Sequence, residues 1–326
     1  MLVLTASEVR ELLDLDRLVD SLAAAMIDLS HGRMSMPPRV AAEVADRHGM
    51  LAAMPAFLPS ANALVTKLVT LFPDNRDQPT HQAMIGCFDP QTGTPLAIMD
   101  GTYITAVRTA AGSALATRLL ARSTAEVVSI IGSGVQARTH ARMMFRLPGV
   151  RRIQLAARDP DKRELLAAEL VADGIQTSPA ANIERAVRSA DIVCLTTHSP
   201  EPVLRRDWLQ PGTHINSVGY NTGGSGEVDS GTIRDALIAV ESRAAVLAAP
   251  PFGSVEIRSA VDTGALSEHD LVEIGELGTG HAKGRTDDGQ LTLYKSVGIA
   301  AQDAAAAALV LAAAAATESG QRVLLS

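Results

Sequence analysis

The sequence predicts an α/β protein of two domains, one built on a parallel sheet and one of mixed α+β character. Three observations predict it. From about residue 126, apolar runs alternate with helical stretches of about 10 to 15 residues, the grammar of right-handed βαβ units. Before that, from Met36 to about Thr105, short apolar runs are separated by Pro, Gly, Asn and Asp clusters, as in a mixed or antiparallel sheet. The 326 residues, at about 150 per domain, suggest two domains.

Taken in order, residues 6–32 read as helical, because Leu12, Leu15, Val19, Leu22 and Met26 recur every three to four residues and Gly32 supplies a stop. GMLAAMPAF, ALVTKLVTLF, AMIGCFD and PLAIMD are the strand candidates, and residues 106–122 are helical again. Then come EVVSIIG (strand), VQARTHARMMFRL (helix), RIQLAAR (strand), DKRELLAAELVAD (helix) and ERAVRSA (short helix). DIVCLTT, HINSVG and ALIAVES are further strands, and 296–317 is an Ala-rich helix of high propensity.

Composition excludes several function classes. Lys and Arg number 29 against 36 Asp and Glu, a net charge of −7, so no concentrated basic face for nucleic acid is expected. Cys87 and Cys194, far apart, exclude a disulfide-stapled scaffold and CxxC metal spacing. The histidines show no HExxH or comparable pattern, so no metal site is expected. The N-terminus lacks a basic n-region, and the apolar run 304–316 is short for a membrane span, so a soluble cytoplasmic protein without a membrane partner is expected.

One motif carries chemistry on its own. Gly132-Ser133-Gly134-Val135-Gln136-Ala137 is a GxGxxA turn that follows the strand EVVSII and opens a helix. Gly132 permits the turn, Gly134 lets a pyrophosphate approach the backbone, Ala137 allows close helix packing, and the helix N-terminus offers free N–H groups. The next strand ends in Ala157-Arg158-Asp159, with Lys162 and Arg163 beyond. An acid there favours NAD and an arginine the 2′-phosphate of NADP; the order favours NADP, with Asp159 keeping NAD open. In the first domain, Arg39 after Pro-Pro, Lys67 within an apolar strand and Arg108 in a helix suggest a carboxylate clamp.

Beyond these residues, the chain resembles the ornithine cyclodeaminase/mu-crystallin family nearly end to end. The resemblance rests on PPR (37–39), the Lys67 strand, DGTYITAVRTAA (100–111), GSGVQARTHA (132–141), NSVGYNTGGSGEVD (216–229), GELGTG (275–280) and TLYKSVGIAAQD (292–303). It implies a Rossmann NAD(P)-binding domain, 118–299, inserted in a substrate-binding and dimerisation domain, 1–117 plus 300–326, and hence a homodimer. It also implies that Arg39, Lys67 and Arg108 hold a substrate α-carboxylate, with Lys67 close to the reacting imine. Gly132, Gly134, Val135 and Gln136 would hold the pyrophosphate, and Arg158 and Asp159 the ribose. Thr109, Thr196, Lys295 and Ser296 join the cofactor-binding set, with a structural role equally open to Lys295 and Ser296. Asp303 would anchor the final helix without acting in catalysis.

Two departures narrow the activity. Cyclodeaminases carry an aspartate two residues after the glycine of the loop that here reads Gly219-Tyr220-Asn221, and Asn221 is no general base. The acid they place before the Met-Pro of the first domain is absent from LAAMP (51–55). Ornithine's distal ammonium would lack a counter-charge. The resemblance then implies an NAD(P)H-dependent reductase of cyclic ketimines, Δ1-pyrroline-2-carboxylate or Δ1-piperideine-2-carboxylate to L-proline or L-pipecolate. The alternatives within the family are cyclodeaminase, alanine- or opine-type dehydrogenase, and an NADPH-dependent binder of a small ligand.

Overall fold

The structure is a computed structural model describing residues 1–219 and 224–324, so Tyr220 and Asn221 lie outside the described residues. In chain order it opens with β1 (Leu2–Leu4), α1 (Ala6–Leu12), α2 (Leu15–Ser30), β2 (Val40–Val44), β3 (Gly49–Leu58), β4 (Ala63–Leu71), β5 (His81–Phe88), β6 (Pro95–Asp100) and α3 (Thr102–Leu120). There follow β7 (Val127–Ile131), α4 (Val135–Met144), β8 (Arg152–Ala156), α5 (Pro160–Ala172), β9 (Thr177–Pro179), α6 (Ile183–Arg188), β10 (Ile192–Leu195) and β11 (His214–Ser217). The chain continues through α7 (Ser230–Asp235), β12 (Leu237–Val240), α8 (Arg243–Val246), α9 (Val255–Asp262), β13 (Val272–Glu273), α10 (Ile274–Thr279) and β14 (Thr292–Lys295). It ends with α11 (Ala300–Thr317) and β15 (Gln321–Arg322).

Two compact units result, Met1–Arg108 with Gly298–Ser326, and Thr109–Val297. The division falls within α3, where the sequence placed it at 117/118, and the return at 297/298 rather than 299/300.

In the first unit seven strands form one sheet in the order β15-β1-β6-β5-β4-β3-β2, antiparallel except for β1 against β6. Alternation decides which side faces inward: Ala52, Met54, Ala56 and Leu58 of β3 and Ala63, Val65 and Lys67 of β4 are buried. Helix α11 packs on β3, β4 and α2. Asp14 caps α2, and Leu18, Val19, Leu22 and Met26 form its buried stripe. The final helix starts at Ala300, not Ser296, because TLYK is a strand and Gly298 takes the left-handed region, φ 71°. By length and mean hydropathy α11 could cross a membrane, which the 13-residue apolar run understated, but 56% of it is buried within the fold and it contains buried Gln302 and Asp303.

In the second unit eight strands run parallel in the order β13-β12-β14-β11-β10-β7-β8-β9. Strands on either side of β7 lead away in opposite directions, so the turn after β7 lies at a topological switch point, where ligands bind in such sheets. Strand β14 leaves no pattern in the sequence: four residues inserted between β11 and β12 carry no period of their own. Glu227 is fully buried and accepts from the Thr197 amide and hydroxyl (2.8 and 2.7 Å), the Ser217 hydroxyl (3.1 Å) and the Gly219 amide (2.7 Å). It fixes the backbone that leaves β10 and β11. Glu227→Ala strands these donors and is expected to lower unfolding free energy by about 3 kcal/mol, read as an earlier urea midpoint.

Candidate functional site

The first unit concentrates three cations. Lys67 occupies an inward position of β4, with Met54 and Ile85 as its cross-strand neighbours. Its Nζ lies 2.7 Å from Asp303 Oδ2, and both side chains are almost wholly buried. Arg108 of α3 reaches the other oxygen of the same carboxylate, Nε to Oδ1 3.3 Å, and donates from Nη1 to Gln302 Oε1 at 2.7 Å. Arg39 donates from Nη2 to the Gly298 carbonyl at 2.5 Å. A Cβ on Gly298 would sit 2.8 Å from both Arg108 Nη atoms, so glycine there admits the guanidinium.

Three cations against one carboxylate leave an excess of positive charge. Burial lowers the Lys67 ammonium to about 8; Asp303 pulls it upward while Arg108 and Arg39 push it down. His81, at the start of β5, is lowered to about 4, first by burial and then by Lys67 and Arg108, so it stands neutral beside the cluster. Such a cluster is suited to an anion that arrives from solvent, a carboxylate above all. The three cations named from sequence are therefore brought together in one unit. What sequence reasoning missed is the part played by Gln302 and Asp303; the available signal was two polar residues in an otherwise Ala-rich helix.

The second unit holds the GxGxxA turn. Gly132 has φ 134°, and a Cβ on it would meet Thr196 Oγ1 at 2.5 Å. The Thr196 hydroxyl donates to the Ile131 carbonyl (2.8 Å), so this side chain braces the turn from behind. Gly134 is the N-cap of α4 with no side-chain cap, and a Cβ built on it meets nothing within 4 Å. Val135 is exposed and Gln136 half-buried, so the first-turn N–H groups stand open to an anion. These features fit a dinucleotide pyrophosphate. Beyond β8, Asp159 caps α5, its carboxylate accepting from the Asp161 and Lys162 amides at 3.1 Å each, while Arg158 is exposed.

Lys295 and Ser296 are held by protein partners. Lys295 Nζ pairs with Glu256 Oε1 at 2.8 Å and reaches Ser217 Oγ and the Gly219 carbonyl (3.2 and 3.3 Å). Ser296 donates to Glu241 Oε1 at 2.6 Å. Both sets of contacts favour the structural alternative. Thr109 is buried in α3. Among the described residues no three His, Cys, Asp or Glu side chains group as metal ligands.

Comparison with known proteins extends this geometry. The profile of the ornithine cyclodeaminase/mu-crystallin family matches residues 1–318. The chain is 35% identical over 310 residues to the ketimine reductase mu-crystallin of Mus musculus, covering 93% of this chain and 94% of the mouse protein. It is similar to the Δ1-pyrroline-2-carboxylate reductase of Thermococcus litoralis, solved in complex with NADH and L-proline, with TM-score 0.93 and 34% identity over 99% of this chain and all of that one. An archaeal alanine dehydrogenase dimer with bound NAD superposes with TM-score 0.92 and 31% identity, over all of this chain and 99% of that one.

Gly132→Ala forces a side chain into Thr196 from a strained backbone. It is expected to cost about 1–3 kcal/mol of stability and to weaken dinucleotide binding at least tenfold by calorimetry. Gly134→Ala meets no protein atom, so it should weaken binding while leaving the melting temperature unchanged.

Proposed function

Because the chain belongs to the ornithine cyclodeaminase/mu-crystallin family, we propose that it reduces the C=N bond of a cyclic ketimine carboxylate, Δ1-pyrroline-2-carboxylate or its six-membered homologue, with a nicotinamide dinucleotide. The observation that carries this reading is the Arg39–Lys67–Arg108 cluster, whose positive charge Asp303 only partly offsets. It matches a substrate with one carboxylate and no distal ammonium. At the positions before Met54-Pro55, Leu51, Ala52 and Ala53 offer no charge to a second amine.

When bound, the reduced nicotinamide supplies a hydride for the imine carbon. The chain's own residues do the rest. Arg39 and Arg108 orient the carboxylate. Lys67, as an ammonium, donates its proton to the imine nitrogen, so the carbon becomes the better electrophile; as that carbon takes the hydride, the C=N π pair passes to nitrogen, which stays in the ring as a secondary amine. Lys67 then regains a proton from water. Purified protein is expected to oxidise reduced nicotinamide with Δ1-pyrroline-2-carboxylate, with kcat/KM falling as pH rises through about 8, where Lys67 loses its proton. No oxidation with either imine, alongside release of ammonia from ornithine, overturns the reading.

We further propose NADP(H) as the preferred cofactor. Arg158 is exposed just beyond β8, where a basic side chain suits a 2′-phosphate, and one oxygen of the Asp159 carboxylate is engaged in capping α5. Arg158→Ala should lower the NADPH-to-NADH ratio of kcat/KM by about 10- to 100-fold, the loss of one or two charge-assisted bonds. An unchanged ratio returns the choice to NAD. We also propose a homodimer formed by the open face of the seven-stranded sheet. Val40, Leu51 and Met84 are exposed there, with Leu64, Leu68 and Phe88 beside them, an apolar surface suited to a second copy. The unpaired buried cysteines support a reducing, cytoplasmic setting.

A further inference from the structure

We propose that Asp303 is a positioning residue for the reaction: its carboxylate aims the Lys67 amine and keeps that amine charged while it serves as proton donor. Every element packed around Lys67 bears on its charge. Arg108 from α3 and Arg39 from the segment before β2 oppose an ammonium there; His81 from β5 is neutral, and Met54 and Ile85 on the flanking strands are apolar. Gln302 spends its carbonyl oxygen on Arg108. Asp303 alone among these named groups is negative, and it divides its oxygens, Oδ2 to Lys67 at 2.7 Å and Oδ1 to Arg108 at 3.3 Å.

That division has a geometric consequence. One carboxylate plane spaces the donor amine from the carboxylate-binding guanidinium, so the two cannot drift independently. Asp303 stands in the first turn of α11, where the helix dipole favours an anion and disfavours a cation. A helix anchor needs only one of these bonds. The pair of them ties the charge of Lys67 to the return of the chain at Gly298.

The test reads ionisation directly. Protein labelled at lysine Cε with carbon-13 is titrated by NMR, and the Lys67 signal is assigned by its absence in Lys67→Arg. The proposal rests on the Lys67 role given above, but this readout needs no turnover, so failure of the imine substrate would leave its result standing. In Asp303→Asn the Lys67 midpoint should fall by about one to three pH units, while Asp303→Glu keeps it near the wild-type value. In turnover the basic limb of kcat/KM should move down by the same amount in Asp303→Asn. An unmoved midpoint in folded Asp303→Asn overturns the proposal, as does a uniform loss of activity with the limb in place. Should Asp303→Asn not fold, wild type and Asp303→Glu decide: a Lys67 charged at pH 7 in both supports the proposal, and a neutral Lys67 in either overturns it.

Discussion

A carboxylate with no solvent exposure, shared between two cations, is the constraint on which the first unit depends. Burying Asp303, Lys67 and Arg108 is tolerable only because each charge has a partner within hydrogen-bonding reach. The carboxylate comes from the last helix, the lysine from a central strand and the arginine from α3, separated by up to 236 positions in the sequence. Satisfying the charges therefore requires the chain to return after its excursion through the second unit. The glycine at 298, left-handed and against the Arg108 guanidinium, is the joint that allows it.

The second unit solves a related problem with three buried glutamates. Glu227 gathers the backbone leaving β10 and β11, Glu256 neutralises Lys295, and Glu241 accepts from Ser296 and the Val297 amide. Burial works against the Glu256 charge, yet the Lys295 ammonium prevails and holds that carboxyl below its ordinary value. In the first unit the buried carboxylate joins two side-chain cations, whereas in the second buried carboxylates gather irregular backbone. The GxGxxA turn itself carries no charged side chain. The turn is one that only glycine tolerates, braced by Thr196, and α4 begins without a side-chain cap.

Charge distribution also narrows the chemistry. The cation cluster carries more positive charge than Asp303 can offset, so a monoanion is welcome and a second ammonium is not. The half-buried, neutral His81 adds no charge to that balance. A cyclic imino acid meets these terms, because its nitrogen is part of the ring and it carries a single carboxylate. An alanine-type reading meets them as well, and the difference lies in whether an amine arrives separately.

Much of this was legible in the sequence, for identifiable reasons. The GxGxxA turn, the strand before it and the helix after it are local, and local geometry is written in adjacent residues. Arg39, Lys67 and Arg108 could be named because a cation in an apolar setting is conspicuous. What the sequence could not reveal depended on contacts between distant positions. Strand β14 has no period of its own and acquires its identity only by filling a gap between β11 and β12. Asp159 stands just past a strand in sequence, and only the structure shows that one of its oxygens caps α5. Asp303 looks like a helix anchor and turns out to join an amine and a guanidinium, because only the folded chain brings Lys67 within 2.7 Å of one of its oxygens and Arg108 within 3.3 Å of the other.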